Sequence, residues 1–199
     1  MSATTASRPV DVATVGRFIR EKNIAVILIV AAIVLTILEP RFLTLDNLNA
    51  ISRQIVPVGF IALGQFFVIT SANIDLSLGY ASTLWAIVLG VLWGVGYGIA
   101  VGLVVVFVGS IVFGAASGTL VAKLKLPAFI VTLGGLFIAR GLGGLVIPRQ
   151  QIVLIDDFFA WVGGQQFLGL YAVFIIMLAF YAAAWIVFNK TAIGGYILG

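Results

Sequence analysis

The sequence is organised around residues 61–79, which read IALGQFFVITSANIDLSLG. An apolar run of membrane length ends here in a polar group, and a second apolar run follows at once. No charged residue occurs between Asp75 and Lys123. A charge inside a membrane segment is costly unless it lies at an interface, caps a helix or faces a cavity. The pattern predicts a broken membrane segment near 71–77 that carries polar side chains.

The composition is that of an integral membrane protein. The 199 residues are 62% hydrophobic and only 9% charged, and the mean hydropathy is +1.24. Soluble domains contain about 25% charged residues. The net charge of +4 reports membrane topology, because basic residues collect in cytoplasmic loops. We therefore expect the lipid bilayer, and no nucleic acid, as a partner.

The residue types that are missing argue against an enzyme. The chain has no Cys and no His. Disulfides, thiol chemistry and His-ligated metal or haem are thereby excluded, and the commonest general base is absent. The sequence also lacks the pair of intramembrane aspartates that an aspartyl protease would need. We predict no catalytic residue, no metal site and no cofactor.

The apolar runs predict an all-α, polytopic membrane protein with about six transmembrane helices. Residues 76–122 would measure about 70 Å as one helix, more than twice the thickness of the bilayer core. This run must fold back, and the glycine-rich stretch 94–98 is the predicted turn. An unbroken helix would instead align four glycines on one close-packing face. The predicted spans are Ile24–Leu38 (begun earlier, near Phe18), 54–71, 76–93, 98–122, 127–147 and 167–188.

The basic residues predict that both termini are cytoplasmic, with loops 39–53 and 148–166 outside. Residues 1–22 form a cytoplasmic leader, either a short amphipathic helix on the membrane surface or an irregular solvated segment. Seven basic residues fall inside, three outside and one within a span. They are Arg8, Arg17, Arg20, Lys22, Lys123, Lys125 and Lys190 inside, Arg41, Arg53 and Arg149 outside, and the intramembrane Arg140.

The two external loops have their own local signals. Asp46 is the predicted N-cap of a short helix in the first loop, and Pro57 is expected in the first turn of the second span. In the second loop Asp156 and Asp157 precede aromatic residues, which predicts an interfacial helix that ends at Gly163-Gly164. We interpret the two aspartates as solvated rather than as a calcium or sugar site.

Asp75 has two interpretations. In the structural one it is the N-cap of the third span, while Ser71, Asn73 and Ser77 satisfy the backbone of the broken segment. In the functional one the break lines a substrate pathway, as discontinuous helices do in transporters. Asn73, Asp75 and Ser77 are then the candidate pathway residues.

Arg140 also has two interpretations. It lies roughly 20 Å into its span at helical rise, within reach of the outer interface for a long side chain. The alternative is that it donates hydrogen bonds to a polar substrate in the pathway. An ion pair between Asp75 and Arg140 is expected only if residues 71–77 re-enter the membrane.

Four stretches resemble, in order and spacing, the ribose/xylose/arabinose-type permeases of bacterial ABC importers. NIDLSLG at 73–79 resembles the family's G-I-D-L-S-V-G signature. The other three are RFLTLDNLNAISRQ at 41–54, VAKLKLPAFIVTLGGLFIARGL at 121–142 and FNKTAIGGYILG at 188–199. The sequence departs from the pattern at Ile193 and Gly195, where Phe and Arg are usual, and at Ser117, where Asn is common.

The resemblance implies a permease subunit that translocates a monosaccharide-like solute across the bacterial inner membrane. It implies a second permease subunit, in a homo- or heterodimer, two cytoplasmic ATPases that hydrolyse the ATP, and an extracytoplasmic sugar-binding protein. Residues 23–199 would be the transmembrane permease domain, incomplete at the C-terminus because the family's coupling loop follows at that point. The alternatives are a branched-chain amino-acid-type permease and a truncated, non-transporting permease remnant.

Overall fold

The computed structural model describes residues 23–146, 156–167 and 169–198, and these residues are almost entirely helical. The chain divides into two compact units, 1–50 and 51–199, each described by itself. The helices are α1 Asn23–Leu38, α2 Leu45–Thr70, α3 Leu78–Gly94, α4 Gly98–Ala122, α5 Ala128–Val146, α6 Asp157–Gly164, α7 Ala172–Lys190 and α8 Ala192–Leu198. The strands are β1 Gln166–Phe167 and β2 Leu170–Tyr171.

Four of these helices are long and apolar enough to cross a membrane, namely α2, α4, α5 and α7. The other two predicted spans coincide with the shorter apolar helices α1 and α3. Helices suit these segments because a bilayer offers the backbone no hydrogen-bond partners, and a helix satisfies its own N–H and C=O groups. The predicted all-α, polytopic membrane fold is confirmed. The predicted leader 1–22 and the start near Phe18 lie outside the described residues.

The prediction of a separate short helix within loop 39–53 was wrong. The helix starts at Leu45 and continues without a break to Thr70, so loop 39–53 shrinks to residues 39–44. Thr44, and not Asp46, precedes the helix. Its Oγ1 accepts from the backbone N–H of Asn47 at 3.4 Å, and its carbonyl accepts from Leu48 at 2.9 Å. Asp46 lies in the first turn, where its charge suits the helix dipole.

The second unit joins α2 to α7 along an aromatic seam. Pro57 lies inside α2, not in its first turn as predicted. Close to it, the Tyr181 hydroxyl donates to the Gly59 carbonyl at 2.8 Å, and Met177 packs against Gly59. Further along, three aromatic pairs follow: Phe60–Phe180, Phe66–Phe188 and Phe67–Phe188. Residue numbers rise together on the two helices, so α2 and α7 are parallel, as the six-span topology requires.

Helix α3 packs between α4 and α5. Along α4 the pairing is antiparallel, because Leu89 lies against Gly102 and Trp85 against Gly109. Along α5 it is parallel, because Ser77 lies against Gly135 and Ile87 against Gly143. Each contact places a side chain where the facing helix has no Cβ, which lets the helix axes approach closely.

The turn between α3 and α4 falls where the sequence predicts it. Gly96 and Gly98 have φ angles of +89° and +75°, a region that glycine enters without the cost that a Cβ imposes. The N–H groups of Gly96 and Tyr97 bond back to α3 at 3.0 and 3.1 Å and close its end. Because the helix breaks here, the four glycines do not share one face, and a single unbroken helix is excluded. These glycines are Gly90, Gly94, Gly98 and Gly102.

The segment before α7 differs from the prediction. The sixth span was expected to begin at Phe167, but β1 and β2 form a short antiparallel hairpin there and the helix begins at Ala172. Gly169, with φ +80°, makes the turn of the hairpin. Helix α6 lies where an interfacial helix was predicted, and the Asp156 carboxylate caps it by accepting from the N–H of Phe158 at 2.9 Å.

Helix α8 was not predicted, and it meets α7 at a corner that only glycine fits. A Cβ on Gly194 would collide with the backbone carbonyl of Phe188, whereas a Cβ on Gly195 would meet nothing within 4 Å. Backbone cannot yield as a flexible side chain can.

We therefore expect Gly194→Ala to destabilise the corner by about 1–3 kcal/mol and to expose α8 to protease. Gly195→Ala is the matched control and should behave as the unaltered protein. Limited proteolysis in detergent, followed by mass spectrometry of the released C-terminal peptide, measures how well the α7–α8 corner is protected from cleavage. Equal protection of the two variants would contradict this packing.

Candidate functional site

Residues 71–77, called the linker from here on, begin with a tightly closed helix end. Ala72 adopts a left-handed φ of +56°. This conformation lets the N–H of Asn73 donate to the Val68 carbonyl at 3.1 Å. It also lets the N–H of Ala72 donate to the Ile69 carbonyl at 2.9 Å. The pattern is that of a Schellman motif, which satisfies the last carbonyls of a helix. Ser71 adds a bond from its Oγ to the Phe67 carbonyl at 2.8 Å.

Asp75 holds the other end of the linker. Its Oδ1 accepts from the backbone N–H of Ser77 at 2.7 Å and from the Ser77 hydroxyl at 2.6 Å. The N-cap of α3 is Ser77, so the expectation that Asp75 is the N-cap was wrong. The reason is local: an Asp side chain readily bonds the N–H two residues on, and that turn ends before the helix starts. Oδ2 has no hydrogen-bond partner among the described residues.

The linker lies beside α5 rather than beyond its end. The Thr132 hydroxyl donates to the Ala128 carbonyl at 2.8 Å and approaches the Ile74 carbonyl at 3.3 Å. Ser77, which is only 2% exposed, contacts Gly135. Thr132 and Gly135 lie about 6 and 10 Å along α5 from Ala128 at helical rise. The polar linker therefore runs alongside the first two turns of an apolar helix.

Two open cavities flank Asp75, each of about 470 Å³. Asp75, Gly114 and Ser117 line both. The linker cavity is bounded by the end of α2, the linker, α4 and the start of α5. The serine cavity lies between α2, α3 and α4, and its other polar residues are Ser77, Ser82, Trp85 and Ser110. The volumes fall in the range of sites for small molecules, about 300–1,000 Å³.

The chemistry of the two cavities is dominated by hydrogen-bond acceptors. The hydroxyl hydrogens of Ser82, Ser110 and Ser117 are directed at carbonyls of their own helices, at 2.7, 2.9 and 3.1 Å. The lone pairs of these hydroxyl oxygens remain free to accept hydrogen bonds, and so does the carboxylate oxygen Oδ2 of Asp75. Among the described residues, no Lys or Arg lines either cavity.

Trp85 is the exception, because its indole can only donate. Its ring packs on Gly109, and its Nε1 is buried without a hydrogen-bond partner in the described part of the chain. Burial of a donor without an acceptor costs about 1–3 kcal/mol. The indole ring is thus held by van der Waals packing against α4 rather than by a hydrogen bond.

Three of the four predicted site residues come together at these cavities. Asn73 lines the linker cavity and donates from Nδ2 to the Ser71 carbonyl at 2.7 Å, Ser77 lines the serine cavity, and Asp75 lies between the two. The sequence reasoning did not identify Ser110, Ser117 and Thr132 as site residues. A signal for the first two existed, since they lie seven residues apart, which is two helical turns, on an otherwise apolar helix.

Arg140 lies elsewhere. Its guanidinium sits over the ring of Tyr80, 5.7 Å from the centroid, and neither residue lines the cavities at Asp75. Tyr80 belongs to the first turn of α3, so the side chain of Arg140 points back along α5 and not towards its C-terminal end at Val146. Within the described residues Arg140 and Asp75 form no ion pair with each other, and each has another partner instead.

Comparison with known proteins decides the family. Residues 47–198 match the family described as branched-chain amino acid transport system / permease component. The chain belongs to this permease family. Its members are transport permeases, and four helices of membrane length make the chain a multi-pass membrane protein. No solved structure matches it.

The relatives are sugar and signal importers. The chain is 32% identical over 187 residues to a ribose import permease of Haemophilus influenzae, covering 92% of this chain and 58% of that protein. It is 30% identical over 181 residues to the ribose import permease of Escherichia coli, covering 89% and 56%. It is 30% identical to an autoinducer 2 import permease of Salmonella typhi, covering 88% and 50%. The resemblance read from the four motifs is confirmed, and the chain spans little more than half the length of these relatives.

Proposed function

We propose that this chain is the transmembrane permease subunit of an ABC importer that moves a monosaccharide-like solute across the bacterial inner membrane. One structural observation carries the proposal: a carboxylate with a free oxygen lies between two cavities of ligand size, beside a broken membrane segment. The names of the relatives, ribose and autoinducer 2 import permeases, support the class of solute.

The proposed pathway runs past the linker and along the serine cavity. Asn73, Asp75 and Ser77 are its pathway residues, joined by Ser110 and Ser117 of α4. The hydroxyls of the two α4 serines lie about 10 Å apart along the helix axis at helical rise, which extends the polar surface from the linker towards the middle of the membrane. Arg140, stacked on Tyr80, takes no direct part in this pathway.

The proposed assembly follows the importers of this family. The chain pairs with a second permease subunit, in a homo- or heterodimer. Two cytoplasmic ATPases hydrolyse ATP, and an extracytoplasmic sugar-binding protein delivers the solute. The permease itself binds no nucleotide in this scheme.

The chemistry of the cavities favours a sugar over a branched-chain amino acid. The carboxylate of an amino acid needs donors or a positive charge, and the part of the lining that the structure describes includes no Lys or Arg. The hydroxyls of a sugar can donate to the free acceptors of Asp75 and the serines.

The proposal is tested by reconstitution. The importer that contains this chain is placed in proteoliposomes with its ATPases and binding protein, and accumulation of radiolabelled ribose is measured with and without ATP. We expect uptake that depends on both ATP and the binding protein. Uptake of leucine but not of ribose would favour the amino-acid permease, and uptake of neither would favour the non-transporting remnant.

The proposed orientation, with a cytoplasmic N-terminus, gives a separate prediction. The native chain has no Cys, so a single introduced Cys reports one position. Cysteines in place of Ser2 and Lys123 should be unreactive towards an impermeant thiol reagent in intact cells and reactive after permeabilisation. A Cys in place of Arg41 is the matched control and should react in both. Labelling of the Ser2 or Lys123 position in intact cells would reverse the topology.

A further inference from the structure

We propose that Asp75 makes the two cavities an anion filter: they admit uncharged, hydroxyl-rich solutes or cations and reject phosphorylated or carboxylated ones. The inference rests on the proposed function for the identity of the cargo, a sugar. It goes further in assigning the charge selectivity to one residue of the permease. An unphosphorylated sugar would pass, and its phosphate ester would be excluded.

The hydrogen-bond inventory supports this selectivity. Oδ1 of Asp75 is occupied by Ser77, whereas Oδ2 has no hydrogen-bond partner in the described part of the chain, and Asp75 lines both cavities. The hydrogens of Ser110 and Ser117 are already used within α4, so these hydroxyls also offer lone pairs. Apart from the second N–H of the Asn73 amide and the buried indole N–H of Trp85, the described lining offers acceptors, so a bound solute must bring most of the donors itself. Sugar hydroxyls do so, but a phosphate or carboxylate group brings further acceptors.

The charges around the cavities act in the same direction. Among the described residues no basic residue lines them, and two of the described arginines are engaged on aromatic rings, Arg140 on Tyr80 and Arg53 on Tyr171. Lys123 and Lys125 of the α4–α5 connection are not lining residues, although Lys123 directly follows the lining residue Ala122. Asp75 is therefore the one formal charge that the described residues place on the walls of both cavities. Water in an open cavity screens this charge in part, and the remaining repulsion still disfavours anions at contact distance.

The test uses a cysteine in the cavity wall as a sensor of local charge. Ser117→Cys is introduced into the importer, and its reaction rates with a cationic and an anionic methanethiosulfonate reagent of similar size are compared. We expect the ratio of the cationic to the anionic rate to exceed that of a free thiol by at least about tenfold. With Asp75→Asn, which keeps the oxygen that accepts from Ser77, the ratio should fall to near the free-thiol value.

Thr191→Cys is the control, since Thr191 is exposed just beyond the end of α7, on the proposed cytoplasmic side, and lines neither cavity. Its rate ratio should not depend on Asp75. A free-thiol ratio at position 117, a ratio unchanged by Asp75→Asn, or no reaction with either reagent would each overturn the proposal. The last result would mean that protein or lipid fills the cavities.

A competition experiment separates this inference from the proposed function. Free ribose should slow the modification of Ser117→Cys, and ribose 5-phosphate at the same concentration should not. Equal slowing by both sugars would overturn the anion filter. An Asp75-dependent charge ratio without any slowing by ribose would support the filter and count against a sugar as the cargo.

Discussion

Asp75→Ala is expected to reduce ATP-driven ribose uptake by the assembled importer to a few per cent of the unaltered level. Two losses combine. The variant removes the acceptor for the backbone N–H and the hydroxyl of Ser77, so the linker loses its turn. It also removes the free carboxylate oxygen from both cavities. A hydrogen bond to a charged group is worth about 1.5–3 kcal/mol, which corresponds to roughly a 10- to 100-fold effect for each interaction lost.

Two further variants separate the turn from the cavity. Asp75→Asn keeps an oxygen that accepts from Ser77 but loses the charge, so we expect normal membrane levels and an uptake rate about tenfold lower. Ser77→Ala removes only the hydroxyl bond to the carboxylate and keeps the backbone bond, so we expect an intermediate loss of uptake, about tenfold. Wild-type uptake by Asp75→Ala at normal membrane levels would show that the carboxylate serves neither purpose.

Gly109→Val is expected to destabilise the packing of α3 on α4 by about 3 kcal/mol. Any Cβ at this position collides with the ring of Trp85, and valine adds two methyl groups in the same direction. Gly134→Val is the matched control, because Gly134 lies inside α5 and a Cβ added there would meet nothing within 4 Å. The measurement is the midpoint of thermal unfolding in detergent. Equal midpoints for the two variants would contradict the contact.

Trp85→Phe should rescue Gly109→Val. Phenylalanine is smaller than tryptophan and lacks the part of the indole that contacts Gly109. The coupling free energy between two residues in contact is about 0.5–3 kcal/mol. Trp85→Phe alone should leave the midpoint nearly unchanged, since the buried Nε1 has no described acceptor and no hydrogen bond is lost. Additive effects of the two substitutions would mean that the ring does not rest on Gly109.

The membrane helices could be predicted from the sequence because long apolar runs have few other options in a bilayer. Helix α4 has the predicted bounds, as glycines set its start and a basic cluster follows its end. Prediction failed where local polar signals competed. Asp46 looked like the capping residue, but Thr44 precedes the helix, and the aromatic Phe167 looked like the start of a span when it belongs to a hairpin.

The polar centre of the site could also be predicted, since a charge such as Asp75 in an apolar sequence has to be explained. Its surroundings could not. Thr132 and Ile74 lie 58 residues apart in the chain, and only the fold shows that the linker runs beside α5. Ser110 and Ser117 share one helix face by their spacing, but serines in apolar helices usually bond their own backbone, so this signal does not point to a site until α3 and α2 are placed opposite them. Arg140 attracted attention for its charge, and the fold pairs it with Tyr80.

The central claim is that water and solute enter the cavities between α2, α3 and α4. The most direct measurement compares the adjacent variants Ser110→Cys and Ile111→Cys. Ser110 lines the serine cavity, and Ile111 is exposed on the apolar surface of the same helix. A membrane-impermeant, water-soluble thiol reagent needs a thiolate, which forms in water and not in lipid. We predict rapid modification at position 110, slowed by ribose, and little at position 111. Equal rates at the two positions, or no reaction at 110, would contradict it.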